Sequence, residues 1–212
     1  MNFDTLWLFD YGLNMEIILA STSPYRQAQL SAFGIHFRAV APRVDEEALK
    51  KDGPTKAFEL SQFLAKEKAA SIKSTIQNAL ILGGDQVLEF ENQIFSKPGN
   101  KDAAFHQLKQ MQGKSHRLIS SLAVESPLHS QVYTDVTTIK LRELSDADIQ
   151  SYLEQDRPFD CAGSYKMERA GMALVDSIDS KDPSSIQGIP LLALTQALLE
   201  CGLDLPQFWS SK

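Results

Sequence analysis

EIILASTSPYRQAQL, residues 16–30, runs from an apolar segment through a loop of small and hydroxylated residues into a helix start. Glu16–Ala20 is a short β-branched run. The next apolar positions, Leu30 and Phe33, suit one face of a helix that begins near Pro24. The unit is a strand, a tight loop and a helix. Its loop brings together backbone amides at a helix N-terminus, the hydroxyls of Ser21 and Ser23, and the guanidinium of Arg26, a combination that suits a phosphate. An ordinary N-cap by Ser23, with Pro24 at the first helical position, accounts for the same residues. Only residues elsewhere in the chain can separate the two readings.

Outward from this unit, strands and helices alternate. A second strand is expected over 36–40 (HFRAV) after Gly34, followed by a polar loop, APRVDEEALKKDGP, over 41–54. From Thr55 to Ile72 the apolar positions Phe58, Leu60, Phe63, Leu64, Ala65 and Ala69 recur at helical spacing, with lysines on the remaining face. ALILGGDQVLEF, 79–90, reads as a buried strand broken by a glycine pair. QIFSKPGNKDAA, 93–104, reads as a strand end, a turn and the start of a helix over about 101–111. HRLISSLAVE and QVYTDVTTIKL are two Val- and Thr-bearing strands that pair. Ser145 and Asp148 have the spacing of a capping box, which starts a helix reaching about Gln155. A last helix is expected over 189–201, with Leu191, Leu194 and Leu198 as its stripe and Gly202 as its stop. This order indicates an α/β or α+β protein with a mixed sheet.

At 212 residues the chain can bury a substantial core, and one globular unit is expected. With 43% hydrophobic and 23% charged residues, neither disorder nor a fibrous class is indicated. A net charge of −6 argues against a nucleic-acid polymer or an acidic membrane as partner, while leaving room for a small anionic substrate met by local cations. The two cysteines, Cys161 and Cys201, form no CxxC and have no zinc-spaced histidine, which fits a reducing cytoplasm. Residues 1–14 carry an apolar patch interrupted by two aspartates, with no basic segment before it. They read as an N-terminal extension to a single domain over 15–212 rather than as a signal peptide.

The chemistry gathers in a few short stretches. Asp45, Glu46 and Glu47 sit in the expected polar loop, and Asp85 ends the expected apolar strand beside Gly83 and Gly84. A carboxylate at the end of an apolar run is costly to bury without a partner, and the glycines would let a ligand approach closely. A hard cation with oxygen ligands would justify both acids, although a solvated loop and a turn or cap remain the plainer alternatives. Lys68, on the long helix, and Lys97, before Pro98, could join Arg26 in clamping a polyphosphate. Ser21 or Ser23 as a nucleophile is disfavoured, since no histidine lies nearby in sequence.

The ordered set LASTSPYR, VDE, EKA, GGDQV, SKP, GKSHRL, CAGSYKMERAG and SIQGIPLLAL resembles the Maf family of nucleoside triphosphate pyrophosphatases from Met15 to Leu203. The resemblance implies an elongated, two-lobed mixed α/β fold with a central cleft, similar to that of inosine-triphosphate pyrophosphatases. It also implies hydrolysis between the α and β phosphates of a nucleoside triphosphate, as a house-cleaning activity, with a divalent cation (Mg²⁺ or Mn²⁺) as cofactor and a homodimer as assembly. Asp85 matches the family's general-base position, and Glu46 the acidic residue of the metal and water site, so both are candidate metal ligands. Ser21, Arg26, Lys68 and Lys97 match its phosphate-binding positions.

Three positions associated with substrate choice read Tyr25, Gln86 and Glu168. The branch that takes dTTP and UTP carries Arg, Thr and Gln there. This chain resembles instead the branch acting on 7-methyl-GTP, with Tyr where that branch commonly has Trp. A cationic methylated guanine favours an electron-rich ring, which Tyr25 would supply, and a carboxylate for its N1 and N2 edge, which Glu168 would supply. The alternatives are a pyrophosphatase for other canonical or modified nucleotides, a nucleotide-sugar or phosphate-ester hydrolase, and a non-enzymatic nucleotide-binding regulator of cell division.

Overall fold

The computed structural model describes residues 15–203 apart from 74, 77 and 128; the expected extension over 1–14 lies outside the described residues. Its strands are β1 (Glu16–Ala20), β2 (Arg38–Val40), β3 (Ala79–Phe90), β4 (Gln93–Phe95), β5 (Ser115–Glu125), β6 (Ser130–Leu141) and β7 (Val175–Asp179). Its α-helices are α1 (Pro24–Phe33), α2 (Glu46–Asp52), α3 (Ala57–Lys73), α4 (Lys101–Met111), α5 (Asp146–Asp156) and α6 (Leu191–Glu200). Two 3₁₀ turns, Ala170–Leu174 and Pro183–Gln187, flank β7.

The seven strands make one mixed sheet in the order β2-β1-β3-β5-β6-β7, with β4 pairing to β3. β1 is parallel to both β2 and β3, whereas β5 is antiparallel to β3. The sheet changes character at β3, and its pairing there explains why a cleft forms. On one edge, β5 pairs with β3 from Ile81 through Glu89. On the other edge, β1 pairs only as far as Leu82 and β4 only from Leu88. Residues 83–87 therefore have no partner strand on that side. Ligand crevices in open α/β sheets form where the strand order switches, outside the carboxyl ends of the parallel strands.

Hydrophobic packing brackets this gap. Leu80 and Leu82 belong to a core with Leu19, Leu30, Leu194 and Leu198, and Leu88 and Phe90 to another with Leu108, Leu118, Ile139 and Leu153. The opposite face of β3 packs Ala79 and Ile81 against Ala65, Ala69 and Ile72 of α3. The two-residue alternation of a strand thus sends Gly83, Asp85 and Val87 toward α3, and Gly84, Gln86 and Leu88 toward α1 and the Pro183–Gln187 turn.

Local signals place most of these elements. Ser23 caps α1 by accepting from the Arg26 N–H, Pro24 opens it, and Gly34 ends it at φ 88°. The capping box of Ser145 and Asp148 starts α5, and Asn100 caps α4. β5 and β6 pair antiparallel along their whole length. Three expectations need correction. Residues 46–52 are not loop but helix α2, nucleated by Asp45, whose carboxylate accepts the Ala48 N–H at 3.1 Å. Acids in its first turn and lysines in its last suit the helix dipole. β3 is not broken at its glycines, so Asp85 lies inside the strand rather than at its end. β2 starts only at Arg38, and β7 was not foreseen, because VDSID carries a single aliphatic pair among polar residues.

Candidate active site

A cavity of about 320 Å³ opens at the unpaired edge of β3. All nine residues singled out in the sequence line it: Ser21, Tyr25, Arg26, Glu46, Lys68, Asp85, Gln86, Lys97 and Glu168. They arrive from the β1–α1 loop, the first turn of α1, α2, α3, β3, the turn before α4 and the loop before the Ala170 turn, so only the tertiary fold assembles them.

One wall is an alternating line of charge. Asp85 is 4% exposed, and its Oδ1 accepts from Lys68 Nζ at 2.6 Å. The same ammonium lies 2.8 Å from Glu46 Oε2, and Lys50 Nζ lies 2.9 Å from Glu46 Oε1. Burial pushes the Asp85 carboxyl above its ordinary range, opposed by the charges of Lys68 and Arg26. Burial acts in the same sense on Glu46, but Lys68 and Lys50 outweigh it and hold that carboxyl down at about 2. The two acids thus sit in different electrostatic settings around one shared cation. Lys50 is a member of this line that sequence reasoning missed; its signal was the i, i+4 spacing from Glu46, visible once α2 is known to be a helix.

Gly83 and Gly84, expected to admit a ligand, have another purpose. A Cβ at Gly83 would stand 2.2 Å from the Ala65 carbonyl oxygen and 2.9 Å from the Ala69 Cβ, so this glycine lets α3 lie directly on β3 and deliver Lys68 to Asp85. A Cβ at Gly84 would stand 3.0 Å from Arg26 Nε, and one at Gly188 would stand 3.1 Å from the same atom. Arg26 is held between these two glycines, and its Nε–H donates to the Gly188 carbonyl at 3.2 Å. Gln29 fastens the segment by donating to the carbonyls of Ser184 and Ile189 while accepting the Ile189 N–H. Ser21 is 5% exposed, and its hydroxyl oxygen accepts the Ser23 N–H at 3.1 Å. The β1–α1 loop is therefore both a helix cap and a cavity wall. Lys97 lies exposed at the cavity edge, with no ion-pair partner among the described residues.

The other wall is built by residues 160–168 and rests on the core around Leu88: Ala162, Met167 and Ile186 pack against that core and face the cavity. The loop turns through Gly163 (φ 80°) and Ser164 (φ 62°), where a Cβ on Gly163 would stand 2.3 Å from Leu88 Cδ1. It is pinned from behind, because Tyr152 Oη accepts the Lys166 N–H at 2.8 Å and His116 Nε2 lies 2.7 Å from Tyr165 Oη. Glu168 is exposed at the rim. Gln86 spends its amide N–H groups on Ser120 Oγ and the Ser185 and Ile186 carbonyls. Ser185 is in turn held by Asp135 at 2.6 Å. Gln86 thus braces the Pro183–Gln187 turn from the cavity floor.

The donor set suits a hard cation. Lys68 and Lys50 balance the two carboxylates, which still present oxygen ligands to the cavity, and Mg²⁺-type ions take one or two carboxylates together with substrate phosphate oxygens. Among the described residues no group of three or more His, Cys, Asp and Glu side chains converges into a self-sufficient metal cage. No helix among them is long and apolar enough to cross a membrane.

Comparison with known proteins gives a consistent set of relatives. A family model described as Maf-like protein matches residues 16–201. A Bdellovibrio bacteriovorus protein named 7-methyl-GTP pyrophosphatase is 42% identical over 188 residues, covering 89% of this chain and 98% of its own. Proteins of the same name from Xanthomonas oryzae pv. oryzae and Thiobacillus denitrificans are 39% and 40% identical. They cover 90% and 89% of this chain, and 98% and 94% of their own. Among solved structures, the Staphylococcus aureus Ham1 protein aligns at TM-score 0.45 and 15% identity, over 87% of this chain and 98% of that one.

Proposed function

This chain belongs to the Maf-like protein family, and from that membership and the chemistry of its cavity we propose that it hydrolyses 7-methyl-GTP, or a closely related modified nucleotide, to the monophosphate and pyrophosphate. The observation that carries this reading is the buried Asp85, which shares Lys68 with Glu46 in the unpaired gap of β3, beside the Arg26 and Ser21 cradle.

Displacement at the α phosphorus needs a water molecule, a base for its proton and cations for the charge that builds on the phosphate oxygens. Asp85 is the base: it takes the proton as the water oxygen bonds to phosphorus and the bond to the bridging oxygen breaks, releasing pyrophosphate. Burial raises its proton affinity above the ordinary carboxylate range, the direction that strengthens a general base. Arg26, fixed between Gly84 and Gly188, meets the phosphates with a rigid donor set. Lys68 spends two of its three N–H donors on Asp85 and Glu46 and keeps a third for a phosphate oxygen. Lys97, exposed at the edge, closes over the outer phosphates.

Glu46 and Asp85 would hold a divalent cation, Mg²⁺ or Mn²⁺, which when bound draws charge from phosphate oxygens and makes a coordinated water more acidic. The base lies against the wall of residues 160–168, where Tyr25 offers a ring to a cationic purine and Glu168 a carboxylate to its hydrogen-bonding edge.

The decisive assay measures pyrophosphate release from a panel of triphosphates (7-methyl-GTP, GTP, dTTP and UTP) with Mg²⁺ or Mn²⁺. The proposal expects the methylated guanine nucleotide to have the highest kcat/KM. Release of orthophosphate instead of pyrophosphate, or a preference for dTTP and UTP, overturns it.

A further inference from the structure

Three side chains at the base-binding wall close into a triangle that the reaction as described does not use. Tyr25 Oη donates to Asp160 Oδ2 at 2.7 Å. Asp160 Oδ1 lies 3.3 Å from Lys166 Nζ. Lys166 Nζ in turn sits 5.6 Å from the centroid of the Tyr25 ring. The Lys166 side chain is only 11% exposed, so its ammonium has given up most of its water and depends on its two neighbours. The ring supplies a π face, and Asp160 supplies the compensating charge.

This arrangement bears on how a cationic base could bind. An ammonium over the Tyr25 ring competes with any second cation drawn to the same ring, and at short range in a partly dry cavity that repulsion is felt. A carboxylate beside the ammonium cancels it. The same carboxylate fixes the ring, because the bond holds Oη, the far end of the ring axis, in place and the phenolic O–H prefers to lie in the ring plane. Building on the substrate reading above, we propose that Asp160 is a positioning residue for base selectivity: it orients the Tyr25 ring and neutralises Lys166, so that the ring accepts a positively charged purine. Asp160 acts through Tyr25 and Lys166 and takes no part in phosphorus chemistry. Burial works against its charge, but the bonds from Tyr25 and Lys166 prevail and keep Asp160 ionised.

The test compares KM and kcat for GTP and 7-methyl-GTP, in mildly acidic buffer where the methylated base is cationic, across the wild type and three variants. Asp160→Asn keeps an acceptor for the tyrosine hydroxyl and removes the charge. The Asp160 side chain is 55% exposed, so its charge is screened by solvent; the variant is expected to raise the ratio of KM for 7-methyl-GTP to KM for GTP about threefold, with kcat on both within about twofold. Lys166→Met is expected to move that ratio the opposite way. The pair Asp160→Asn/Lys166→Met, with both charges gone, is expected to return it toward the wild-type value. An unchanged ratio in Asp160→Asn, or a parallel loss of kcat on both nucleotides without recovery in the double variant, overturns the assignment. Should Asp160→Asn fail to fold, Lys166→Met decides by the direction of its shift. A wild type that does not prefer 7-methyl-GTP, but whose ratio still responds to these charges, defeats the substrate reading and leaves the role of Asp160 standing.

Discussion

Lys68 Nζ lies 2.6 Å from Asp85 Oδ1, and both side chains are almost fully buried, at 7% and 6% exposure. α3 can bring the lysine so close only because Gly83 lets the helix rest on β3. The contact joins the scaffold to the chemistry: the cation that keeps a buried carboxylate tolerable is also the one nearest the proposed base.

Asp85→Asn keeps the size of the side chain and removes its capacity to take a proton. Its kcat is expected to fall by about 10²–10⁴-fold with little change in KM, the range typical of losing a general base. Full activity in steady-state pyrophosphate release would falsify the assignment.

Lys68→Met leaves Asp85 buried without its cation. The expected cost is about 3 kcal/mol in urea unfolding, the scale for removing one partner of a buried ion pair. Adding Asp85→Asn should recover much of it, because the stranded charge is then gone. A double-mutant cycle with no coupling would show that the two groups do not depend on each other for stability.

Chelation of divalent cations is expected to stop pyrophosphate release, and added Mg²⁺ or Mn²⁺ to restore it. Glu46→Gln should raise the metal concentration needed for half-maximal activity by at least about tenfold, as loss of a ligand or of its supporting bonds does. A titration curve unmoved by this substitution would take Glu46 out of the metal site.

Alanine at the two adjacent glycines of β3 should have separable effects. Gly83→Ala drives a Cβ against the Ala65 backbone, so its melting temperature should drop by several degrees. Gly84→Ala meets the Arg26 side chain and no backbone, so the fold should survive while KM rises as the guanidinium is displaced from its place between the two glycines. Equal behaviour of the two variants would contradict the division of labour between the faces of β3.

His116 is 2% exposed, and burial lowers its pKa from 6.5 to about 4. Its Nδ1 has no hydrogen-bond partner among the described residues. The unfolded chain takes up a proton below pH 6.5, whereas the folded chain resists until about 4, so this group makes stability fall as pH drops through that window. The loss amounts to about 3 kcal/mol. Unfolding free energies measured across the window should show a slope that His116→Gln flattens.

Much of this molecule could be read along the chain. The strand, loop and helix over 16–33, the apolar face of α3, the paired strands β5 and β6 and the capping box of α5 all rest on signals within a few residues of one another, such as side-chain period, caps and turn residues. The nine candidate residues were legible as a set because their order along the chain resembles a known family. Helix α2 was not, because seven residues give too little apolar period to separate a short capped helix from a polar loop.

By itself, the sequence determined which residue types were available for phosphate chemistry and most of the segments that are strand or helix, α2 and β7 excepted, since both depend on local composition and spacing. Tertiary structure decided what those residues do to one another. The early end of β1 and the late start of β4 open the gap beside Asp85. Two glycines that looked like room for a ligand became room for α3 and Arg26. Asp160, an unremarked acid at the end of a turn, became the partner of Tyr25 and Lys166. Each of these depends on contacts between residues distant in sequence, and a charge buried at such a contact takes its properties from neighbours that only folding supplies.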